Sequence, residues 1–259
     1  MIDFHSHIVY GVDDGAKDIQ ESVEMLKEAS QAGFTDIILT PHYMKNYYIQ
    51  NKKEIEKRIK EIQKKLKEDN IKINLFQANE VYIIDEMPEL INNGTISTIN
   101  SSKYVLFELP MSIETLNLKS VIYSLLENGN IPIIAHPERY KYIQNDPNKL
   151  LELIEMGVLF QSNFGSILGQ YGKISQKTVE KLLKHNMVHF LGTDTHRLNT
   201  IYNKIDEIIE KLNKIVSKEQ LNNLLTNNAK KVLQNENINI ELPIEIKNNF
   251  ISKLFAKKF

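Results

Sequence analysis

The chain begins Met1-Ile-Asp-Phe-His5-Ser-His7, a short apolar run that ends in two histidines spaced two residues apart. Side chains two apart on a strand point to the same face, so both imidazoles would face one site. Near the other end of the chain, Asp194-Thr-His196 repeats this spacing just past the strand-like run 188–192. Pairs of this kind at strand ends are what a multinuclear metal site requires, and they indicate a metal-dependent hydrolase.

Metal-binding side chains recur at the ends of short apolar runs, and five of the seven histidines are among them. The candidate ligands are His5, His7, Asp14, His42, Glu80, Glu108, His136, Asp194 and His196. Taken singly, each has an ordinary structural explanation, but burying so many ionisable groups together is costly unless a strong counter-charge is present. Divalent cations supply that charge. The two remaining histidines, His185 and His189, fall outside this pattern of strand-end ligands and are predicted to be structural.

Seven runs rich in β-branched or aromatic residues alternate with helical patterns. They cover residues 2–5, 36–40, 73–78, 104–109, 131–135, 158–162 and 188–192. This alternation favours a parallel α/β barrel over an open sheet. Most of the candidate ligands stand at the carboxyl ends of these runs, which meet at one mouth of such a barrel. We therefore expect residues that are scattered along the sequence to become neighbours.

The amino-acid composition excludes several kinds of catalytic and metal site. The 259 residues include no cysteine, which excludes disulfides, thiolate zinc sites and cysteine-nucleophile phosphatases. Imidazole and carboxylate groups must then hold any metal, which suits manganese, iron or zinc. The formal net charge of −1 gives no overall attraction to nucleic acid. The opening residues lack a signal-peptide pattern and no run is long enough to span a membrane, so a cytoplasmic location is expected.

Seven short motifs together resemble the PHP (polymerase and histidinol phosphatase) superfamily, and within it the bacterial capsule-type, manganese-dependent protein tyrosine phosphatases. They are Asp3-Phe-His-Ser-His7, Gly11-Val-Asp-Asp-Gly15, Thr40-Pro-His42, Asn79-Glu80, Phe107-Glu108, Ala135-His-Pro-Glu-Arg139 and Thr193-Asp-Thr-His196. The resemblance spans roughly residues 1–235. It implies a distorted seven-stranded (β/α)7 TIM-like barrel over residues 1–236. From about Asn237 the sequence pattern changes, which predicts a C-terminal extension, 237–259, that docks on the barrel, a second subunit or a partner.

The resemblance also implies that the chain binds three divalent metal ions. Mn²⁺ is the expected ion, and Fe and Zn are the alternatives. His5, His7, Glu80 and Asp194 would hold one ion. Glu80 would bridge to a second ion, completed by Glu108 and His136, and the third would be held by Asp14, His42 and His196.

The resemblance further implies arginine contacts to the phosphate. Arg139 would clamp its oxygens. Relatives commonly carry a second arginine near the position of Ile201, and Arg197 is the candidate replacement. Asp13 and Asn163 are candidates for orienting the ligands from behind.

The implied activity is hydrolysis of phosphotyrosine by a metal-activated hydroxide, opposing a bacterial tyrosine kinase in capsule or exopolysaccharide synthesis. The expected substrate is a phosphotyrosine protein such as the C-terminal tail of that kinase, near membrane-bound synthesis machinery. The alternatives are a small-molecule phosphoesterase acting on a sugar phosphate or histidinol phosphate, and a PHP exonuclease. Glu108, the Val-Asp-Asp-Gly loop and the turn at Arg139 favour the first reading.

Overall fold

The computed structural model describes residues 1–247, and residues 248–259 lie outside the described part. Its strands are β1 (Ile2–Ser6), β2 (Asp36–Leu39), β3 (His42–Tyr43), β4 (Asn74–Gln77), β5 (Glu80–Tyr82), β6 (Tyr104–Glu108), β7 (Ile131–Ala135), β8 (Leu159–Asn163) and β9 (Phe190–Gly192). Its α-helices are α1 (Ile19–Gln31), α2 (Lys52–Glu68), α3 (Met87–Asn92), α4 (Leu118–Glu127), α5 (Lys141–Asn145), α6 (Lys149–Glu155), α7 (Phe164–Ile167), α8 (Lys173–Lys184), α9 (Ile205–Ile215), α10 (Lys218–Asn222) and α11 (Asn228–Leu233). No helix within residues 1–247 is both long and apolar enough to cross a membrane.

The strands form a curled, wholly parallel arrangement in two sheets. One sheet has the order β1-β2-β4 and the other has the order β3-β5-β6-β7-β8-β9. The first and last strands approach each other, because Ser6 bridges Thr195 in parallel and the amide of Asp194 donates to the carbonyl of His5 at 2.8 Å. The fold is therefore an α/β fold whose strand ends converge, as the strand–helix alternation predicts.

Each of the seven predicted runs overlaps an observed strand, and β7 matches its predicted bounds. The sequence did not predict β3 and β5 as separate strands. Each follows β2 or β4 after a two-residue interruption, and the first interruption contains Pro41, which has no amide hydrogen to continue a ladder. The register of the second sheet then pairs His42 with Glu80. This pairing brings two candidate ligands side by side.

Both faces of the strands are buried, as expected of parallel strands. Along β6, Tyr104 and Leu106 join one apolar cluster, drawn mainly from strands, in which Phe4 stacks on Phe190 with ring centroids 4.0 Å apart. Val105 alternates with them and joins the larger cluster, which includes the buried sides of the helices. The core thus occupies both sides of the sheet, and polar side chains collect at the strand ends.

The helix boundaries largely follow their sequence signals. Asp18 caps α1 by accepting a hydrogen bond from the amide of Glu21, as the spacing predicts. Asp146-Pro147 is a helix-start signal in the sequence, and α6 begins slightly later, at Lys149. The helical spacing of Leu221, Leu225 and Val232 predicts one final helix, but a π-helical segment over Asn223–Asn227 divides it into α10 and α11. Beyond it, residues 237–247 contain no helix or strand.

Candidate metal centre

The candidate ligands lie together at the carboxyl ends of the strands. They reach this region from β1, β3, β5, β6 and the segments that follow β1, β7 and β9. A cavity of about 380 Å³ opens there, lined by Asp14, His42, Glu80, Glu108, Met111, His136, Arg139, Asp194, His196 and Arg197. His5 and His7 are fully buried and contact Glu80. The structure therefore brings all nine side chains to one place.

The deepest ligand group surrounds one carboxylate oxygen. Oε2 of Glu80 lies 3.2 Å from Nε2 of His5 and 3.3 Å from Nε2 of His7. Oδ1 of Asp194 lies 3.5 and 3.3 Å from the same two nitrogens. One potential ligand atom from each of these four residues lies within 4.8 Å of the others, so a single cation could contact all of them.

A second group of ligands lies nearer to solvent. Oδ1 of Asp14 is 3.6 Å from Nε2 of His42 and 3.5 Å from Nε2 of His196. His7 also belongs to this group by distance, and its ring stacks on that of His196 with centroids 4.0 Å apart. Asp14 is half-exposed, so this end of the centre is the one open to an incoming molecule.

A third group forms around the two glutamates. Nδ1 of His42 lies 3.0 Å from Oε2 of Glu80 and 3.5 Å from Oε1 of Glu108. Nε2 of His136 lies 3.0 Å from Oε1 of Glu80 and 3.7 Å from Oε2 of Glu108. The compact group in this region is His42, Glu80 and Glu108, whereas the family resemblance implies that His136 completes the set. Both histidines border the same pair of carboxylates.

The hydrogen bonds of His5 and His7 test whether the centre suits a metal. Nδ1 of His5 contacts Oε1 of Gln161 at 2.8 Å, and Nδ1 of His7 contacts Oδ2 of Asp13 at 2.8 Å. Each contacted oxygen is an acceptor, so in the neutral imidazole each Nδ1 carries the proton and each Nε2 has a free electron pair. These two Nε2 atoms lie only 3.0 Å apart. Free electron pairs converging at that distance suit a shared cation.

Two buried atoms between Glu80 and His42 also indicate that the centre suits a metal. Oε2 of Glu80 and Nδ1 of His42 are buried and lie 3.0 Å apart, yet neither makes a hydrogen bond of acceptable geometry within residues 1–247. Buried polar atoms without partners are costly in folded proteins. A cation would satisfy both atoms, and a donor set of nitrogen and carboxylate oxygen fits manganese, iron or zinc.

The charges of the centre are strongly coupled. Burial opposes protonation of His5, but the carboxylates of Glu80 and Asp194 outweigh it and raise the pKa of His5 to about 9. Burial also disfavours the charged form of Glu80, yet the charges of His5 and His42 hold its pKa well below its ordinary value. Burial and the charge of Glu80 together raise the pKa of Glu108 to about 7. The carboxylates thus depend on neighbouring positive charge, which is the role that divalent cations fill.

Unusual backbone conformations position three of the ligands. His136 has φ 37° and Asp194 has φ 52°, both in the left-handed region that non-glycine residues seldom adopt. Gly15 allows the loop that carries Asp14 to close over the centre, because a Cβ at this position would lie 2.0 Å from the carbonyl oxygen of His7. The glycine of the Val-Asp-Asp-Gly loop is therefore required by close approach.

Buried amides and carboxylates hold the ligands from behind. Asp13 contacts His7 and also accepts the amide of His42 at 2.9 Å, as the sequence predicts for an orienting residue. Nδ2 of Asn163, the other predicted orienting residue, donates to Oδ2 of Asp194 at 2.7 Å. Gln161, which the sequence analysis missed, joins these contacts, because its Nε2 donates to Oδ1 of Asn163 at 3.0 Å.

Several proteins named as tyrosine-protein phosphatases resemble this chain over most of its length. A family model described as capsular polysaccharide synthesis, CpsB/CapC, matches residues 1–234. The chain is 34% identical to a putative tyrosine-protein phosphatase CapC of Staphylococcus aureus, covering 95% of this chain and 96% of the relative. It is 32% identical to the tyrosine-protein phosphatase YwqE of Bacillus subtilis, covering 99% of both. The chain belongs to the CpsB/CapC family. The resemblance inferred from the seven motifs is thereby confirmed.

Solved structures give the same placement. A crystal structure from work on YwqE of Bacillus subtilis and CpsB of Streptococcus pneumoniae, described as metal-dependent tyrosine phosphatases, matches with a TM-score of 0.89 at 30% identity. That match covers 96% of this chain and 100% of the other. A histidinol phosphate phosphatase of Lactococcus lactis matches with a TM-score of 0.55 at 15% identity, over 83% of this chain and 93% of the other, and shows a shared fold only.

The two arginines of this CpsB/CapC family chain border the cavity in different ways. Nη1 of Arg139 donates to Oδ2 of Asp194 at 2.9 Å, and the guanidinium carbon lies 4.4 Å from the ring centroid of Tyr171. Nη1 of Arg197 donates to three backbone carbonyls, those of Asp14, Gly15 and His196. Arg139 is therefore braced against a ligand side chain, and Arg197 fastens the Asp14 loop to the segment after β9.

The two histidines outside the ligand set lie away from the centre. Nδ1 of His189 accepts a hydrogen bond from the amide of Phe160 at 3.0 Å, and burial lowers the pKa of His189 to about 4. Nδ1 of His185 contacts the carbonyl of Lys181 at the end of α8. Both contacts agree with the structural role predicted from their positions.

Proposed function

We propose that this chain is a metal-dependent tyrosine-protein phosphatase acting in capsular polysaccharide synthesis, where it opposes a bacterial tyrosine kinase. The two relatives named above carry tyrosine-protein phosphatase activity in their names, at 32–34% identity and nearly full coverage. The observation that carries the proposal is the convergence of nine nitrogen and carboxylate ligands on one open cavity whose rim includes Arg139.

The metal content proposed is three divalent ions, Mn²⁺ first, with Fe or Zn as alternatives. His5, His7, Glu80 and Asp194 would hold the deepest ion, and the potential ligand atoms of this set lie within 4.8 Å of one another. Glu80 and Glu108, with His136 and the nearby His42, would hold the second. Asp14, His42 and His196 would hold the outermost. When bound, such ions neutralise a phosphate dianion and activate water for attack on phosphorus.

The residues of the chain have distinct tasks in this account. Arg139 would bind phosphate oxygens that face away from the ions, since a guanidinium can bind two of them at once. Asp194 and the ring of Tyr171 brace it in place. Arg197 is the candidate second clamp, and its bonds to the carbonyls of Asp14 and Gly15 support a further task, holding the Asp14 loop over the outermost ion.

We also propose a substrate, a cellular location and a complete barrel for this chain. The substrate would be the phosphorylated tail of a tyrosine kinase rather than a nucleic acid, and the location would be cytoplasmic, beside membrane-bound synthesis machinery. The two curled sheets would together form a distorted seven-stranded barrel, with β3 continuing β2 and β5 continuing β4. The barrel would span residues 1–236, with 237–259 as an extension or oligomer contact.

A substrate panel tests the proposal. With Mn²⁺ added, a phosphotyrosine peptide should be hydrolysed much faster than a phosphoserine peptide, histidinol phosphate or single-stranded DNA. A preference for histidinol phosphate or a sugar phosphate would instead assign the chain to small-molecule phosphoesterases, and degradation of the DNA would assign it to the exonucleases. The thiol reagent iodoacetamide should have no effect, because the chain has no cysteine.

A further inference from the structure

A second cavity lies beside the metal centre and has a different character. It has a volume of about 360 Å³, and Leu116, Leu118, Tyr142, Ile143 and Leu153 form its apolar wall. Leu116 is fully exposed, so this apolar wall is presented to solvent. We call this cavity the Leu116 groove.

The groove is continuous with the catalytic cavity through one loop. Met111 lines the catalytic cavity, and residues 114–116 of the same loop line the groove. The carbonyl of Met111 accepts the amide of Lys141 at 3.0 Å, which ties this loop to the start of α5. One loop therefore borders both cavities, and a molecule longer than the catalytic cavity can contact both sides of that loop.

Two successive contacts between aromatic rings connect the lining of the catalytic cavity to the lining of the groove. The ring of His136 lies 5.6 Å from that of Tyr140, which in turn lies 5.5 Å from that of Tyr142 in the groove wall. The rings of His136 and Tyr142 are therefore no farther apart than the sum of these two distances, and an extended peptide, which advances about 3.3 Å per residue, covers that in at most about four residues. A peptide chain is thus long enough to occupy both cavities at once.

The polar groups of the groove indicate what it would accept. Its charged rim is neutralised by the ion pairs Lys119–Glu152 and Lys149–Glu114. The hydroxyl of Tyr142, which lines the groove, is buried and has no hydrogen-bond partner within residues 1–247. A neutral apolar slot with a free hydroxyl suits an apolar side chain attached to a peptide backbone, since that backbone supplies donors and acceptors.

We propose that the Leu116 groove binds the phosphotyrosine protein itself, by an apolar side chain within about four residues of the phosphotyrosine. This inference rests on the proposed function, because it assumes that the catalytic cavity receives a phosphotyrosine. The groove then distinguishes a protein substrate from a small phosphate ester, which cannot reach it. It contributes affinity for the peptide and takes no part in the chemistry.

The test compares two substrates and two matched variants. For each protein, kcat/KM is measured on p-nitrophenyl phosphate and on phosphotyrosine peptides carrying Leu or Ala at each of the first four positions on either side. In Leu116→Ser, the ratio of Leu-peptide to p-nitrophenyl phosphate kcat/KM should fall about tenfold, mostly through KM, as expected for a leucine-sized contact. Leu242→Ser removes an equally large exposed leucine elsewhere and should leave the ratio unchanged.

Three results would overturn the inference. The first is an unchanged ratio in Leu116→Ser together with equal rates on the Leu and Ala peptides. The second is loss of the Leu116→Ser effect after deletion of residues 248–259, which would make the chain's own terminus the occupant. The third is dissociation of an oligomer by Leu116→Ser, which would make the occupant a second copy. If wild-type protein hydrolyses p-nitrophenyl phosphate but none of the phosphotyrosine peptides, the proposed function fails together with this inference.

Discussion

The Nε2 atoms of His5 and His7 lie 3.0 Å apart, and each ring is turned so that its Nδ1 faces a fixed acceptor. For His5 that acceptor is Gln161, whose amide cannot flip without losing the bonds from its Nε2 to Asn163 and to the carbonyl of Ser162. The orientation of one amide thus determines which nitrogen of His5 presents an electron pair to the centre.

Replacing Gln161 by Met should weaken metal binding while preserving the fold. The methionine fills similar space but offers His5 no comparable acceptor, so its tautomer is no longer fixed. We expect Mn²⁺ affinity to fall about 10- to 100-fold, measured by competition with a chelator. Gln176→Met, which alters a half-buried glutamine on α8, should bind Mn²⁺ like wild type. Equal affinities in both variants would remove Gln161 from the account.

The central carboxylate should be more sensitive than any other ligand. Among the residues that the structure describes, Glu80 is the one carboxylate in contact with His5, His7, His42 and His136. Glu80→Gln should therefore lose metal and lower kcat by orders of magnitude, with an unchanged circular dichroism spectrum. A variant that retains near-native kcat and metal content would show that Glu80 is not a bridging ligand.

The arginines should separate binding of phosphate from binding of metal. Arg139→Lys keeps the charge but cannot bind two phosphate oxygens at once. The loss of kcat/KM on a phosphotyrosine peptide should therefore correspond to about 1.5–3 kcal/mol of transition-state stabilisation, with metal content unchanged. Unimpaired turnover in this variant would place phosphate binding on other residues.

Arg197→Ala should also lower turnover, either as a second clamp or by releasing the Asp14 loop. Elemental analysis distinguishes these roles, because release of the loop removes the outermost metal and loss of a clamp does not. Wild-type turnover and metal content in Arg197→Ala would exclude both.

Much of this arrangement could be predicted from the sequence. The alternation of apolar runs gave the strands, and the rule that strand ends converge correctly grouped ligands as distant as His5 and Asp194. Gln161 was missed although the signal was present, because Gln161 and Asn163 lie two apart on a strand, like His5 and His7. The proximity of Arg197 to the carbonyl of Asp14 could not be predicted, since it depends on the paths of two distant loops.

The buried His189 should make stability depend on pH. Its folded-state pKa of about 4 lies below the ordinary value of 6.5, so between these values the unfolded chain takes up a proton that the folded chain excludes. Above pH 6.5 His189 is neutral in both states and does not lower the free energy of unfolding. As the pH drops from 6.5 towards 4, protonation of the unfolded chain lowers the free energy of unfolding. Relative to a His189→Gln variant, wild type should lose about 2 kcal/mol between pH 7 and pH 5 in urea unfolding. Parallel losses in both proteins would contradict this assignment.

The most direct test of the whole account is the hydrolysis of a phosphotyrosine peptide by protein whose metal content is known. Chelated protein, shown by elemental analysis to be metal-free, should be inactive, and stepwise addition of Mn²⁺ should restore turnover as the bound metal approaches three ions per chain. Fe²⁺ and Zn²⁺ added in parallel would identify the preferred ion. Full turnover by the metal-free protein would contradict the account.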